Sequence, residues 1–137
     1  MSETYLPVTF SKIMQASHYT VFILSSDSKL FPIFASPHVG EEVQTILADQ
    51  NTSRPKTHDL IDSIFKGLGI TPLQLVLDDI KEDIYFCKLF LEQAKEEHKS
   101  ILEIDVRPSD GLIIALKNNL PIFTHRALLD KVPEFNG

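Results

Sequence analysis

Apolar residues along this chain change their spacing several times, and each change marks an element. Pro7–Ile13 and Tyr19–Leu24 are rich in β-branched and aromatic side chains, which predicts two strands. Ser25-Ser26-Asp27-Ser28-Lys29 follows, made largely of residues that hydrogen-bond their own backbone in turns. Leu30–Ala35 resumes the strand pattern, so 19–35 reads as a hairpin. Pro32 lies inside its second strand, and its missing N–H places that strand at a sheet edge or a bulge. The period then lengthens. Val39, Val43, Ile46 and Leu47 share one face of a helix over Pro37–Asp49. After a polar connector, Gln50–Lys56, a second stripe is formed by Leu60, Ile61, Ile64, Phe65 and Leu68. Thr57 is its expected N-cap, and Gly67 or Gly69 its end.

The second half repeats the alternation. Thr71-Pro72 opens a strand through Leu73, Leu75 and Leu77. Ile84–Glu92 has charged flanks that suit a helix, but Ile84-Tyr85-Phe86 and Leu89-Phe90-Leu91 favour a strand. Gln93–Lys99 reads as a polar loop leading to a partner strand at Ile101–Val106. There a β-branched run meets Asp105-Val106-Arg107-Pro108-Ser109-Asp110-Gly111 and passes straight into Leu112-Ile113-Ile114-Ala115-Leu116. Pro108 suits the first helical position, because its φ is already helical and its missing N–H is not needed there. Asp110 falls in the first turn, where a carboxylate meets unpaired N–H groups. This helix, apolar nearly all round, should be buried on more than one side. It ends at Asn118-Asn119, before a short strand Pro121–Phe123 and a last helix at about Arg126–Lys131. The pattern predicts an α+β fold: one domain over 1–137 with its core at about 7–132, three to four helices, and a mixed, largely antiparallel sheet with hairpins.

Composition narrows the function classes. With 43% hydrophobic and 23% charged residues the chain is built for a packed core rather than disorder. Its net charge of -6 and lack of a Lys/Arg cluster argue against duplex binding through a broad basic surface. Cys87 is the only cysteine, which excludes an intrachain disulfide and reads as an inert buried thiol. Met1–Tyr5 shows no basic-then-apolar leader, and no apolar run approaches the ~20 residues of a spanning helix. A cytoplasmic protein without membrane contact is the expectation.

The residues able to do chemistry fall into three groups. Asp59 and Asp62 share a helical face, with His58 beside them and Arg54 just upstream. Asp105 and Asp110 flank Arg107, and Asp105 and Arg107 point to one face if both lie on a strand. Asp78, Asp79 and Asp83 stand near a turn. Each group has a structural reading. Asp105, Arg107 and Asp110 can form a polar network bracing the strand-to-helix corner, His58 can serve local hydrogen bonding, and Asp78-Asp79 can be solvated turn. No Cys/His zinc spacing and no glycine-rich phosphate loop is present.

Two of these segments, Ser53-Arg54-Pro55-Lys56-Thr57-His58-Asp59-Leu60 and Ile104-Asp105-Val106-Arg107-Pro108-Ser109-Asp110-Gly111, resemble motifs of the bifunctional nuclease (DNase/RNase) domain family. The hairpin ending Leu30–Phe34 and the closing Leu120–Phe123 match as well. The resemblance spans about Thr20 to Val132. It implies an α+β fold, self-association as a homodimer or higher homo-oligomer, and hydrolysis of phosphodiester bonds in DNA and RNA. Phosphodiester hydrolysis commonly uses hard cations held by carboxylates. The nuclease reading therefore expects Asp59, Asp105 and Asp110 to hold Mg²⁺ or Mn²⁺, and implies no organic cofactor. His58 acts as base or water orienter, with Asp59, Arg107 and Asp110 beside it as catalytic residues, while Arg54 and Arg107 bind phosphate through their forked donors. This single-site reading requires 54–59 and 105–110 to lie within about 10 Å of each other in the monomer or in an assembly of copies, since metal ligands bind at only ~2–2.6 Å. The alternative is a non-catalytic oligomeric interaction domain, with Phe31, Phe34 or Phe123 exposed, or a small-ligand-binding domain.

Overall fold

Long strands joined by three tight turns organise the molecule; the computed structural model describes residues 5–49 and 54–135. In chain order the elements are β1 (Tyr5–Gln15), β2 (Thr20–Ser26), β3 (Lys29–Ala35), α1 (Pro37–Leu47), α2 (Thr57–Gly67), β4 (Ile70–Lys81), β5 (Ile84–Lys95), β6 (His98–Val106), α3 (Pro108–Lys117), β7 (Ile122–His125) and α4 (Arg126–Leu129). The strands form one seven-stranded sheet in the order β3-β2-β1-β7-β4-β5-β6. Among the described residues only β4 and β7 run parallel. This is the expected α+β fold with a mixed, mostly antiparallel sheet.

The hairpins turn on residues with positive φ. Asp27 and Ser28 (φ 50° and 66°) join β2 to β3, and Glu82 and Asp83 (51° and 66°) join β4 to β5. Two consecutive left-handed residues give a turn whose twist matches that of the strands. The expected loop over Gln93–Lys99 is not there. β5 and β6 continue through it to a two-residue turn at Glu96-Glu97, with Glu96 at φ 57°. Polar composition misleads at this point because the hairpin tip runs past the helices into solvent, where strand residues need not be apolar. The expected N-cap also shifts: Lys56 holds that place and Thr57 is the first helical residue. Residues 50–53 of the connector lie outside the described residues.

The sheet bends sharply at β1. Tyr5–Val8 pair with β7, whereas Thr9–Gln15 pair with β2, and the register skips Ser11 between Phe10 and Lys12. A bulge of this kind increases local twist. The β2–β3 leaf consequently folds over toward β5. Phe31 stacks on Tyr85 with ring centroids 6.4 Å apart, and the Tyr85 hydroxyl donates to the Pro32 carbonyl at 2.9 Å. Pro32 does lie on an edge strand, as expected. Phe31 is fully buried rather than exposed; of the three phenylalanines named above, Phe34 is the open one.

α3 fills the space between the leaves. Gly111, Leu112, Ile113, Ile114 and Ala115 are all buried, so the helix is covered on several sides, as its composition predicts. Leu112, Ile113 and Ala115 join the main core with Leu75, Leu77 and Ile122, while Ile114 packs with Leu89 and Leu91 beneath α2. Gly111 permits this approach. A Cβ there would stand 2.7 Å from the Leu75 Cδ1 and 3.2 Å from the Val106 Cγ2. Leu75 is itself fully buried and has little room to yield. Overpacking of this kind costs ~1–3 kcal/mol, against ~1 kcal/mol gained from alanine's helix propensity. Gly111→Ala is therefore expected to lower stability by up to roughly 2 kcal/mol in urea unfolding, where an unpacked helix would instead be stabilised by ~1 kcal/mol.

Candidate functional site

The connector entering α2 folds back on its own first turn. The Lys56 backbone N–H donates to Asp59 Oδ2 at 2.7 Å, placing a carboxylate at the positive end of the helix. The other Asp59 oxygen accepts a hydrogen bond from Lys117, in the last turn of α3. The same ammonium lies 3.0 Å from Asp62 Oδ2, and Asn118 Nδ2 donates to Asp62 Oδ1 at 3.2 Å. Two carboxylates one turn apart on α2 thus clamp the C-terminal end of α3. Lys117, missed by the sequence reading, was visible only as a single lysine closing a nearly all-apolar helix.

His58 stands beside the clamp. Its Nδ1 is 3.9 Å from Glu42 Oε2 on α1, its Nε2 is 3.7 Å from Asp59 Oδ1, and its side chain is 12% exposed. These residues line a cavity of about 740 Å³ between α1, the connector, α2 and the end of α3. Arg54 and Lys56 contribute to the same walls. The cavity thus combines guanidinium and ammonium groups with an imidazole held between two carboxylates. That set can bind a phosphate and move a proton beside it.

The charges are mutually adjusted. The Lys117 hydrogen bond, helped by the Lys56 N–H, holds the Asp59 carboxyl below its ordinary range. Desolvation pulls Lys117 down, but its bonds to Asp59 and Asp62 outweigh this and hold the ammonium above the usual lysine range.

The second expected segment lies elsewhere. Arg107 and Asp110 form a forked pair, Nε to Oδ2 at 2.7 Å and Nη2 to Oδ1 at 3.3 Å, at the N-terminal end of α3. Arg107 is 79% exposed, so this is a surface bracket on the first helical turn rather than a buried network. Asp105 does not join it. It is exposed on β6, opposite Lys88, whose ammonium instead meets Glu103 at 3.1 Å and Asp78 at 3.7 Å. The 54–59 and 105–110 segments occupy opposite ends of α3, separated by roughly 10–15 Å of helix at 1.5 Å per residue. Within one chain, Asp59, Asp105 and Asp110 therefore do not form a common coordination shell. Among the described residues no group of three or more His, Cys, Asp and Glu is placed to hold a metal ion. Asp59 and Asp62 do converge, but the Lys117 ammonium already lies against both. This donor set fits an ion-paired clamp and not a divalent cation, which needs about six oxygens.

The remaining candidates are structural. Asp78 and Asp79 lie within β4, where Asp79 pairs with Lys131 at 2.9 Å. Cys87 is fully buried, and desolvation pushes its thiol up to about 12, which removes it as a nucleophile at neutral pH.

The clamp has a pH signature. Asp59 is depressed in the folded state, so its contribution is complete above the ordinary aspartate value of about 3.9 and disappears as pH falls through the folded value. Lys117→Met is expected to cost about 1.5–3 kcal/mol at pH 7, the range for hydrogen bonds to charged groups, and less near pH 3. Chemical denaturation of both proteins at the two pH values checks this.

Comparison with known proteins adds to the geometry. The bifunctional nuclease domain matches residues 21–136, which include the clamp, the cavity and both ends of α3. An uncharacterised protein of Mycobacterium tuberculosis is 30% identical over 76 residues, covering 56% of this chain and 42% of that protein. Bifunctional nuclease 1 of Oryza sativa subsp. indica is 22% identical over 115 residues, 82% of this chain and 34% of the plant protein. Bifunctional nuclease 2 of Oryza sativa subsp. japonica is 24% identical over 99 residues, 72% and 30% respectively. The chain spans less than half the length of these relatives. Among the described residues no helix is long and apolar enough to cross a membrane. With the domain match running across all but the first strand of the fold, this chain belongs to the bifunctional nuclease domain family.

Proposed function

We propose that this domain hydrolyses phosphodiester bonds of single-stranded RNA and DNA in the cavity at the C-terminal end of α3. One observation carries the reading: the family motif around Arg54–Asp59 does not merely cap a helix but lines an open cavity with His58 facing it. Arg54 and Lys56 would hold the phosphate, the guanidinium through its planar fork and the ammonium as a point charge. Cleavage of DNA, which lacks a 2′-hydroxyl, would require water as the nucleophile. A water oxygen would bond to phosphorus as its proton passes to His58, the P–O bond to the departing sugar would break, and that oxygen would take up a proton. Asp59 and Glu42 lie on either side of the imidazole, with Nε2 3.7 Å from Asp59 Oδ1 and Nδ1 3.9 Å from Glu42 Oε2, and would fix its orientation. No step is assigned to a metal ion.

The acidic balance of the chain supports single strands or ends over duplex. With a net charge of -6, binding relies on the few cations of the cavity rather than on a basic track. The same mixed lining supports the alternative, a domain that binds a small phosphorylated ligand without cleaving it.

Labelled single-stranded RNA and DNA oligonucleotides, incubated with purified protein in Mg²⁺, Mn²⁺ or EDTA, separate these readings. Cleavage is expected to fall ~10²–10⁴-fold in His58→Gln with unchanged thermal unfolding, the range of a general base. Asp110→Asn is expected to leave the rate within about twofold, since that pair lies outside the cavity. Undiminished cleavage by His58→Gln would remove the proposal. Binding of a nucleotide without cleavage in any of the three conditions would favour the alternative.

A further inference from the structure

A second, smaller hollow of about 320 Å³ opens beside the cavity, between β1 and the chain leaving α3. Its volume is at the low end for small-molecule sites. Leu116 and Asn119 line both spaces, so the two meet across the C-terminal end of α3 as halves of one groove. The halves differ in chemistry. Arg54, Lys56, His58 and Asp59 make the first half charged. The second is walled by apolar residues, Phe10, Leu120 and Ile122 among them, and its only polar lining among the described residues is Thr9 and Asn119.

Two details suit the apolar half to a flat aromatic ligand. Phe10 is half-buried, and its ring packs on the fully buried Phe22 with centroids 5.9 Å apart, which fixes it in the wall. The register of β1 skips a residue immediately after Phe10, and bulges of this kind re-aim side chains beside binding sites. Asn119 is exposed where the halves meet. Its backbone is left-handed (φ 54°), a conformation that asparagine tolerates at the end of a helix. Glycine would serve that turn equally well. Asparagine adds a carboxamide, which makes no hydrogen bond among the described residues. That group offers both donors and an acceptor, the pattern needed to meet the edge of a base.

We propose that the apolar half is a nucleobase subsite, in which a base stacks on Phe10 and turns its edge to the Asn119 amide while its phosphate lies with Arg54 and Lys56. A nucleotide has the same polarity as the groove, with an anionic end and a flat apolar face rimmed by hydrogen-bonding groups. An acyl chain would leave the amide unused, and a bare sugar phosphate would leave the aromatic wall unused. Stacking accepts any base, because every base has a π face, so discrimination among bases is expected to be modest. The inference rests on phosphate binding in the cavity as proposed above, but not on cleavage.

Calorimetric titration with adenosine 5′-monophosphate and with ribose 5-phosphate tests the subsite. Both carry sugar and phosphate, only the first carries a base, and neither is a phosphodiester. The nucleotide is expected to bind ~5- to 150-fold tighter, the range for stacking one base on an aromatic side chain. Phe10→Leu is expected to bring that ratio close to one, and Phe10→Tyr to retain it. Asn119→Gly, which keeps the left-handed turn, is expected to reduce the ratio ~2- to 10-fold, as for one lost hydrogen bond. Equal binding of the two ligands by the unmodified protein, or a ratio indifferent to both Phe10→Leu and Asn119→Gly, would overturn the subsite and leave the phosphate cavity standing. Binding of neither ligand at ~10 mM would remove the phosphate cavity itself, and the base subsite with it.

Discussion

The burial of α3 is the constraint on which the rest of the structure depends. Five consecutive residues, Gly111 to Ala115, are withdrawn from solvent, and the last four are divided between two separate hydrophobic clusters. A helix enclosed to that extent can satisfy polar groups only at its ends. Both ends of α3 accordingly carry charge. The N-terminal end has the exposed Arg107–Asp110 bracket, and the C-terminal end has Lys117 and Asn118 held by Asp59 and Asp62. The cavity exists because the second arrangement brings α1, α2 and α3 together around polar groups instead of a closed apolar core.

Much of this was legible in the sequence because local chemistry and global packing agree. Pro32 marked an edge or a bulge, Pro108 a helix start, and the run from Leu112 to Leu116 a helix covered on several sides. The failures have physical causes. Gln93–Lys99 looks like a loop because the β5–β6 hairpin projects beyond the helices, where alternation carries no burial signal. Thr57 looks like an N-cap, but Asp59 serves the connector backbone from the third helical position and Thr57 is not needed there. Asp105 and Arg107 are close in sequence, yet the chain turns into α3 between them and Arg107 pairs forward with Asp110.

The site was half legible for the same reason. Arg54, His58 and Asp59 form a local segment, so their proximity can be read directly. Lys117 and Glu42 reach the cavity through tertiary packing, 58 residues from Asp59 in the first case, and no local pattern announces either. Pairing the two motifs into one centre treated sequence prominence as spatial closeness. The helix between them keeps them apart.

Ligand chemistry at the C-terminal end of α3, with architecture at its N-terminal end, is tested most directly by backbone amide resonances followed during titration with a cleavage-resistant phosphorothioate dinucleotide. Perturbations are expected at Glu42, Arg54–Asp59 and Leu116–Asn119, with Asp105–Asp110 unchanged. Perturbations concentrated at Asp105–Asp110, with the cavity residues silent, would contradict it.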